Sequence, residues 1–316
     1  MGGAPLLSFK EVSKRFIRSG LFSSRSQEVL ALSQVSFDIH RGEVLGLVGE
    51  SGSGKTTLGK IAVGLIPPSS GQVLFEGKEL SPKLELGRKM GMVFQNPLTS
   101  LNPRMRVGEI VEEPLKIQLK LSSSERRLRL KELFEKVGLP LSLANCYPDA
   151  LSTGQRQRVG IARAIATSPR FVVLDEPVSA LDLTVQAQIL ALLSQLCSEF
   201  GLTYLLISHD LRVVAGMSDR VVVMYRGRVV ELGRRKEIME EARHPYTRVL
   251  LNSIPTPKGR RRARFALAKE EAPPLTNGRG CPFAPRCPEV EERCGRETPS
   301  LRPVSSSHLV SCHLIE

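Results

Sequence analysis

The sequence predicts an α/β fold, with a parallel sheet covered by helices as its core. One observation is an apolar run at 44–48 that leads into a glycine-rich loop. Another is a pair of apolar runs, at 172–174 and 204–207, with a helical pattern at 185–200 between them. Because strand–helix–strand units place their strands in parallel, these patterns together indicate one sheet with helices packed on it.

The remaining patterns predict an antiparallel part before this core, a helical part in the middle and a hairpin after it. Alternating apolar positions at 5–40 are typical of antiparallel strands with a loop at 20–26. The other expected elements are a helix at 58–65 stopped by Pro67 and Pro68, strands at 73–75 and 90–94, helices over 107–137, and hairpin strands at 221–225 and 229–232.

Residues 43–57 read EVLGLVGESGSGKTT and contain a complete Gly-x4-Gly-Lys-[Ser/Thr] phosphate loop. Glycines let successive backbone N–H groups point into one concavity, and the following helix adds its N-terminal dipole. Lys55 is expected to reach the β- and γ-phosphates, and the Thr56 hydroxyl to bind Mg²⁺. The order of strand, loop, lysine and hydroxyl favours a nucleoside triphosphate site over a chance turn. The expected nucleotide-binding residues are Gly49, Glu50, Ser51, Gly52, Ser53, Gly54, Lys55, Thr56 and Thr57.

Composition restricts the class of protein. The net charge of +13 favours polyanions or anionic lipid head groups as partners. Basic residues gather at 258–264, and only 5% of the residues are aromatic, which favours a solvated basic linker over a nucleic-acid site. No apolar run approaches the ~18 residues of a membrane span, and the N-terminus lacks a signal-peptide pattern. The protein is therefore expected in the cytoplasm, where its six cysteines would stay reduced.

A strand pattern at 171–174 ends in two acids, Asp175 and Glu176. Asp175 at the strand tip is expected to hold Mg²⁺ through its water shell, and Glu176 to act as the general base for an attacking water. Paired acids after a strand also occur as helix caps or loop charges. Their combination with a phosphate loop favours the catalytic interpretation.

A second anion site is predicted near residue 152, where a Ser and a Gly precede a helical run from Val159. One nucleotide in one chain does not need two γ-phosphate sites. Two chains facing head to tail do, because each would then complete the pocket of the other.

In this order the motifs resemble those of ATP-binding-cassette (ABC) ATPases, over roughly residues 5–250. They are the phosphate loop, a glutamine loop at Gln95, a signature at 151–155 (LSTGQ), the Asp175–Glu176 strand, Ser179 to Asp182 (SALD), and a switch histidine, His209. The pieces typical of the oligopeptide/dipeptide importer subfamily are VFQNP at 93–97, SLNP at 100–103, EPVSALD at 176–182, HPYT at 244–247, and the C-terminal cysteine segment.

The resemblance implies a P-loop NTPase (RecA-like) core with an antiparallel β subdomain and an α-helical subdomain. It implies a nucleotide-binding domain at 1–252, with the helical subdomain at about 97–165. A linker at 253–272 and a small cysteine-containing C-terminal extension at 273–316 would follow.

The resemblance also implies roles for single residues. Phe16 falls where an aromatic ring stacks on adenine, although a core position is the alternative. Gln95 is expected to touch Mg²⁺ or the lytic water, with residues 96–110 facing a transmembrane partner. His209 would donate to the γ-phosphate and Asp182 would pack across a dimer interface. Ser152, Gly154 and Gln155 would approach the nucleotide of the partner subunit.

The signature departs from the family pattern, which has Gly-Gly where this chain has Thr153 and Gly154. Asp149 and Ala150 also replace the expected His-Glu-like pair. Threonine lacks the conformational freedom of glycine and adds a β-branch. Because the signature serves the partner's nucleotide, the sequence predicts two unequal ATP sites in a heterodimer.

Four of the six cysteines lie in the C-terminal extension with the spacing C-x5-C-x6-C-x17-C, namely Cys281, Cys287, Cys294 and Cys312. This spacing matches neither common zinc sites nor ferredoxin runs. Similar tails in the subfamily imply a [4Fe–4S] cluster, and zinc or free thiols remain alternatives. Cys146 and Cys197 are expected to be bystanders.

The resemblance implies an ATP-hydrolysing subunit, using ATP and Mg²⁺, at the cytoplasmic face of the cell membrane. The implied partners are a second ATPase subunit, two transmembrane permease subunits and an extracytoplasmic substrate-binding protein, with no specific nucleic acid. The implied cargo is a di- or oligopeptide, with nickel or another small solute as the alternative. A cassette ATPase acting on nucleic acid, and a redox-sensing regulator built on an inactive ATPase, are less favoured interpretations.

Overall fold

The computed structural model describes residues 4–18, 27–80, 84–252 and 280–315. The predicted loop at 20–26, the linker at 253–272 and the basic run at 258–264 lie outside the described residues. Within the described part of the chain, no helix is both long and apolar enough to cross a lipid bilayer.

A central eight-stranded sheet carries the core, in the order β11-β12-β10-β9-β3-β8-β7-β6. Strands β9, β3, β8, β7 and β6 run parallel, which confirms the parallel sheet that the sequence predicts, and the predicted hairpin of β9 and β10 joins it to β12 and β11, which are also antiparallel. The bounds are β3 (Val44–Val48), β6 (Met90–Val93), β7 (Phe171–Asp175), β8 (Thr203–Ser208), β9 (Arg220–Tyr225), β10 (Arg228–Arg234), β11 (Arg302–Pro303) and β12 (Leu309–Val310).

A second, antiparallel sheet has the order β2-β1-β4-β5 and confirms the antiparallel pattern predicted before the core. Its strands are β1 (Leu7–Arg18), β2 (Gln27–Ile39), β4 (Ser70–Phe75) and β5 (Lys78–Glu79). Inward-facing residues such as Phe9 and Phe37 pack with Leu45 and Leu58 in one apolar cluster. Since Leu45 belongs to β3 and Leu58 to the helix after the phosphate loop, this sheet supports that loop from one side.

The helical run expected at 107–137 consists of two helices, because Ser122 and Glu125 form a capping box that starts the second one. The described helices are α1 (Lys55–Ala62), α2 (Leu84–Lys89), α3 (Pro97–Ser100), α4 (Val107–Ile117), α5 (Ser123–Lys136), α6 (Thr153–Ile165), α7 (Leu183–Phe200), α8 (Leu211–Met217), α9 (Arg235–Glu240), α10 (Pro245–Asn252) and α11 (Glu292–Arg296). Helices α4, α5 and α6 share one apolar cluster with β6, β7 and β8.

The cysteine segment, expected as a small appendage, extends the main sheet. Its strand β12 pairs with β10, so that Val310 faces Glu231 in the register. Glu231 is fully buried, and its carboxylate lies 2.8 Å from the Nε2 of His308. The backbone N–H groups of Arg243 and His244 donate to the same carboxylate. A buried carboxylate with three partners ties the segment to the edge of the sheet.

Candidate functional site

The phosphate loop joins β3 to α1 as the sequence predicts. Gly54 is the N-cap of α1 with φ 101°, a left-handed conformation that favours glycine. A Cβ on Gly54 would lie 2.5 Å from the carbonyl oxygen of Ala31, and one on Gly49 would lie 2.2 Å from that of Met224. Both glycines are therefore required by the close approach of neighbouring strands as well as by the turn.

Lys55 is buried at the start of α1, and its Nζ is held by the loop itself. The ammonium group donates to the carbonyl oxygens of Gly49 (2.7 Å) and Glu50 (2.8 Å) and to the Ser53 hydroxyl (3.3 Å). Burial lowers the pKa of Lys55, and the charges of Glu176 and Asp175 oppose that shift. The loop thus concentrates a buried cation among oriented backbone groups, which suits an anionic ligand.

Thr56 and Asp175 meet at the edge of the sheet. The Thr56 hydroxyl donates to Oδ1 of Asp175 over 3.0 Å, and the Asp175 side chain is buried at the end of β7. Burial raises the pKa of Asp175, while the Thr56 hydrogen bond lowers it. A hydroxyl and a buried carboxylate at one point are the oxygen ligands that Mg²⁺ prefers, so these residues fit that ion.

Glu176 lies between the two other predicted catalytic side chains. Gln95 Nε2 donates to Oε2 of Glu176 over 2.8 Å, and Nδ1 of His209 lies 3.2 Å from its Oε1. Glu176 has φ 47°, a conformation that non-glycine residues rarely adopt. Its backbone N–H donates to the Ile207 carbonyl, which ties it to β8. The fold therefore brings Gln95, Glu176 and His209 together from three different strand ends.

The signature residues cap α6. The Ser152 hydroxyl accepts from the Gln155 N–H, and the Gln155 side chain accepts from the Ser152 N–H. Ser152 and Thr153 are exposed, and Thr153 has no positive φ. The chain can therefore adopt this turn with threonine in place of glycine. Gly154 is tightly placed, because a Cβ there would lie 2.8 Å from Val185.

Other predicted residues take the following places. Phe16 is 41% exposed, with the Lys14 ammonium 5.3 Å from its ring centre, which excludes the alternative of a core phenylalanine. Asp182 is the N-cap of α7 and accepts from the N–H groups of Thr184 and Val185. Ser51 and Gly52 are exposed on the loop, and Thr57 is half-buried on α1.

The four C-terminal cysteines lie close enough to influence each other. Burial raises the pKa of Cys287 to about 11, and Cys281, Cys312 and Cys294 add to the shift. Within the described ranges, however, no group of three or more His, Cys, Asp or Glu side chains is arranged to hold a metal ion. The geometry does not support the predicted iron–sulfur cluster or the zinc alternative. Cys146 and Cys197 lie apart, and the Cys197 thiol donates to the Leu202 carbonyl.

Sequence reasoning missed two contacts of the phosphate loop. The Tyr246 hydroxyl accepts from the Glu50 N–H over 2.8 Å, and Arg286 of the cysteine segment pairs with the Glu50 carboxylate. Arg286 and Glu50 are 236 positions apart. No local pattern relates residues so distant, although the HPYT piece at 244–247 pointed to Tyr246.

Comparison with known proteins agrees with this geometry. Residues 32–179 match the sequence profile of the family described as "ABC transporter". The oligopeptide transport ATP-binding protein AppF of Bacillus subtilis is 43% identical, over 98% of this chain and 97% of its own. The chain belongs to the ABC transporter family. It is one of the ATP-binding cassettes, which bind ATP with Mg²⁺ and hydrolyse it.

Further similarities differ in how much of the chain they cover. The oligopeptide transport ATP-binding protein OppF of Haemophilus influenzae is 44% identical, over 92% of this chain and 91% of its own. Residues 230–294 match the profile described as "Oligopeptide/dipeptide transporter, C-terminal region". Among solved structures, the ATP-binding cassette MJ0796, as a dimer bound to ADP and Pi, is 33% identical with a TM-score of 0.64. That match covers 72% of this chain and 98% of that one.

Proposed function

We propose that this chain is the ATP-hydrolysing subunit of an ABC importer that carries di- or oligopeptides across the cytoplasmic membrane, and that it acts at the cytoplasmic face. The observation that carries the ATPase part is the Glu176 carboxylate, held between Gln95 and His209 beside the Thr56–Asp175 pair. The peptide cargo is supported by the near-full-length likeness to proteins named for oligopeptide transport.

The residues of this chain divide the chemistry among them. The amides of the phosphate loop and Lys55 would bind the β- and γ-phosphates, and Phe16 would stack on adenine. Thr56, Asp175 and Gln95 would hold Mg²⁺, which neutralises phosphate charge when bound. Glu176 would accept the proton of the attacking water. The imidazole of His209, 3.2 Å from Glu176, would orient that carboxylate and contact the γ-phosphate.

A second ATPase subunit would complete the site. Ser152 lies exposed at the N-terminus of α6, where it can face another molecule. Leu183, beside Asp182, is 78% exposed, which is consistent with a protein interface at the start of α7. The solved cassette MJ0796 is dimeric. In a head-to-tail pair with a different ATPase, Thr153 would act only on the partner's site, and the two sites would be unequal.

A groove between the two helix-bearing parts suits a permease segment. It has a volume of about 440 Å³ and is lined mainly by apolar side chains from the turn after α1, from β6 and the residue after it, and from α4 and α6, including Met92, Phe94 and Ile117. Exposed Leu98 lies in the 96–110 stretch that the resemblance assigns to the transmembrane partner. An apolar cytoplasmic segment of a permease subunit fits this groove, which begins next to Gln95.

The four thiols are the remaining cofactor proposal. The proposal rests on the likeness of the segment to oligopeptide/dipeptide transporter C-terminal regions, because the arrangement of the described thiols does not itself form a metal site. Anaerobic purification tests the proposal, because a [4Fe–4S] cluster gives a brown protein. A colourless, zinc-containing product would show a zinc site in place of the cluster. A colourless, metal-free product would show that the four thiols are free.

The function is tested by reconstituting the chain with its second ATPase, two permease subunits and a peptide-loaded binding protein in vesicles. ATP hydrolysis is expected to rise with peptide and to accompany peptide uptake. Stimulation of ATP hydrolysis by nickel instead of peptide would show that nickel is the cargo. Salt-sensitive binding of DNA or RNA, without association with permease subunits, would favour a nucleic-acid cassette instead.

A further inference from the structure

The phosphate loop is held from outside the nucleotide-binding core by the C-terminal cysteine segment. Arg286 of that segment forms two hydrogen bonds with the Glu50 carboxylate, Nη1 to Oε2 over 2.8 Å and Nη2 to Oε1 over 3.0 Å. A bidentate Arg–carboxylate pair is the strongest and most directional of the side-chain ion pairs. Glu50 is the residue directly after Gly49 in the phosphate loop.

Arg286 is itself fixed in position. Its Nη1 also donates to the Tyr225 hydroxyl at 3.3 Å, and its guanidinium lies 5.9 Å from the Tyr225 ring. Phe283, three residues earlier and buried, packs edge-on against Tyr225 and tilted against Tyr246. The Arg286 side chain is only 19% exposed. Aromatic packing therefore orients the guanidinium toward the loop.

Every polar group of Glu50 has a partner in this arrangement. Its N–H donates to the Tyr246 hydroxyl, its carbonyl accepts from Lys55 Nζ, and its carboxylate accepts from Arg286. Glu50 thus links Arg286 directly to Lys55. An acid beside a phosphate site would repel the ligand, and a paired guanidinium cancels most of that repulsion.

We infer that Arg286 is a positioning residue for nucleotide binding: it neutralises Glu50 and fixes the loop that carries Lys55. The cysteine segment thereby becomes part of the ATP site, and ATP affinity depends on how that segment packs against the phosphate loop. This inference rests on the proposed ATPase function and adds a residue outside the family motifs of the loop.

The test is MgATP binding by the purified full chain, measured by titration calorimetry. Arg286→Gln is expected to weaken binding about three- to tenfold, because the Glu50 carboxylate is left unpaired beside the phosphates. The matched control is Arg296→Gln, which removes the same charge from an exposed pair with Glu292 in the same segment. The control should bind MgATP as the unaltered chain does.

The double variant Glu50→Gln/Arg286→Gln separates this role from simple support of the fold. If Arg286 acts through the Glu50 charge, removing that charge should restore affinity. The increase in log Kd for MgATP, relative to the unaltered chain, should be at most half as large in the double variant as in Arg286→Gln. Unchanged affinity in Arg286→Gln, or a loss that the double variant does not recover, would overturn the inference.

Two further outcomes are decisive. If Arg286→Gln does not fold, Arg286→Lys, which keeps the charge but not the bidentate geometry, should still bind MgATP about two- to threefold more weakly. Affinity equal to that of the unaltered chain would overturn the inference. If the unaltered chain itself binds no MgATP, the proposed function fails together with the inference, whereas a failure confined to the Arg286 variants leaves the function standing.

Discussion

In the proposed mechanism, the chemistry depends most directly on Glu176. Its carboxylate accepts a hydrogen bond from Gln95 and lies against His209, and its backbone has φ 47°. A non-glycine residue keeps such a conformation only when the surrounding structure enforces it. Here the Ile207 carbonyl, which accepts from the Glu176 N–H, supplies part of that constraint.

Glu176→Gln is expected to keep MgATP binding and to slow hydrolysis by about 10²–10⁴-fold, because an amide cannot accept the proton of the attacking water. Binding and single-turnover hydrolysis in the assembled complex measure the two effects separately. Glu79→Gln, which removes an exposed carboxylate from β5, is the control and should leave turnover unchanged. Near-normal turnover in Glu176→Gln would remove Glu176 from this role.

At the scale of elements, helix caps place the functional side chains. Asp182 begins α7 by accepting hydrogen bonds from the N–H groups of Thr184 (3.0 Å) and Val185 (2.9 Å). Val185 in turn lies against Gly154 at the start of α6. This cap therefore starts α7 beside the signature, independently of any contact that Asp182 makes across an interface.

Asp182→Ala is expected to lower the free energy of unfolding by about 1 kcal/mol, and Asp182→Asn by a few tenths at most, because asparagine also caps helices. Urea unfolding of the isolated chain measures this effect. Loss of ATP turnover in the assembled complex with Asp182→Asn, at normal stability, would assign Asp182 a second role at the interface. Equal stability of the Ala variant and the unaltered chain would contradict the capping role.

The antiparallel sheet is joined to the core by charges around Glu76. Its carboxylate pairs with Arg41 (2.7 Å), Lys89 (3.2 Å) and Arg170, which come from three separate parts of the chain. Hydrogen bonding from Arg41, followed by that from Arg170 and Lys89, lowers the pKa of Glu76 from 4.5 to about 2 against the effect of burial. Because the folded pKa is depressed, the stabilisation is complete above the unfolded pKa and is lost as pH falls toward the folded one.

Glu76→Gln is therefore expected to cost about 1 kcal/mol of unfolding free energy at neutral pH, a value reduced by solvent screening of a partly exposed network. The difference from the unaltered chain should shrink between about pH 4.5 and pH 2. Urea midpoints over this range measure it, with Glu79→Gln as the control. A difference that does not change with pH would show that the charge of Glu76 is not the cause.

At the scale of the whole molecule, the unusual signature is expected to make the two ATP sites of a heterodimer unequal. Thr153 is exposed on α6, and its backbone does not require glycine. Threonine in place of glycine therefore leaves the fold of this chain intact. Its effect is expected at the ATP site that contains the partner subunit's phosphate loop. The pocket built on Lys55, Asp175, Glu176 and His209 keeps all its side chains.

Thr153→Gly in the reconstituted complex is expected to raise ATP turnover at the partner's site, because it removes a β-branch next to the nucleotide. Site-specific turnover can be read in complexes in which one of the two catalytic glutamates is replaced by Gln. Unchanged turnover at both sites would refute the idea of unequal sites.

The isolated chain should hydrolyse ATP slowly and in a concentration-dependent way, and full activity at any dilution would contradict a shared site.

The sequence by itself determined the fold class, the identity of the phosphate loop and the order along the chain of the motifs that follow the central strands. These features are local: apolar runs set the strands, and glycines at fixed spacing set a loop that only glycine can form at Gly49 and Gly54. The acids after β7 were predictable from the same kind of local pattern, a strand that ends in two carboxylates, whereas the role expected of His209 came from the resemblance to ABC ATPases.

Only the tertiary structure decided which side chains touch across the chain. It placed Phe16 at the surface instead of in the core, joined the cysteine segment to β10, and set Arg286 against Glu50. In the described residues, it also does not arrange the four cysteines as a metal site. Contacts between residues more than 200 positions apart depend on how sheets and helices pack, and no periodicity or spacing in the sequence records that packing.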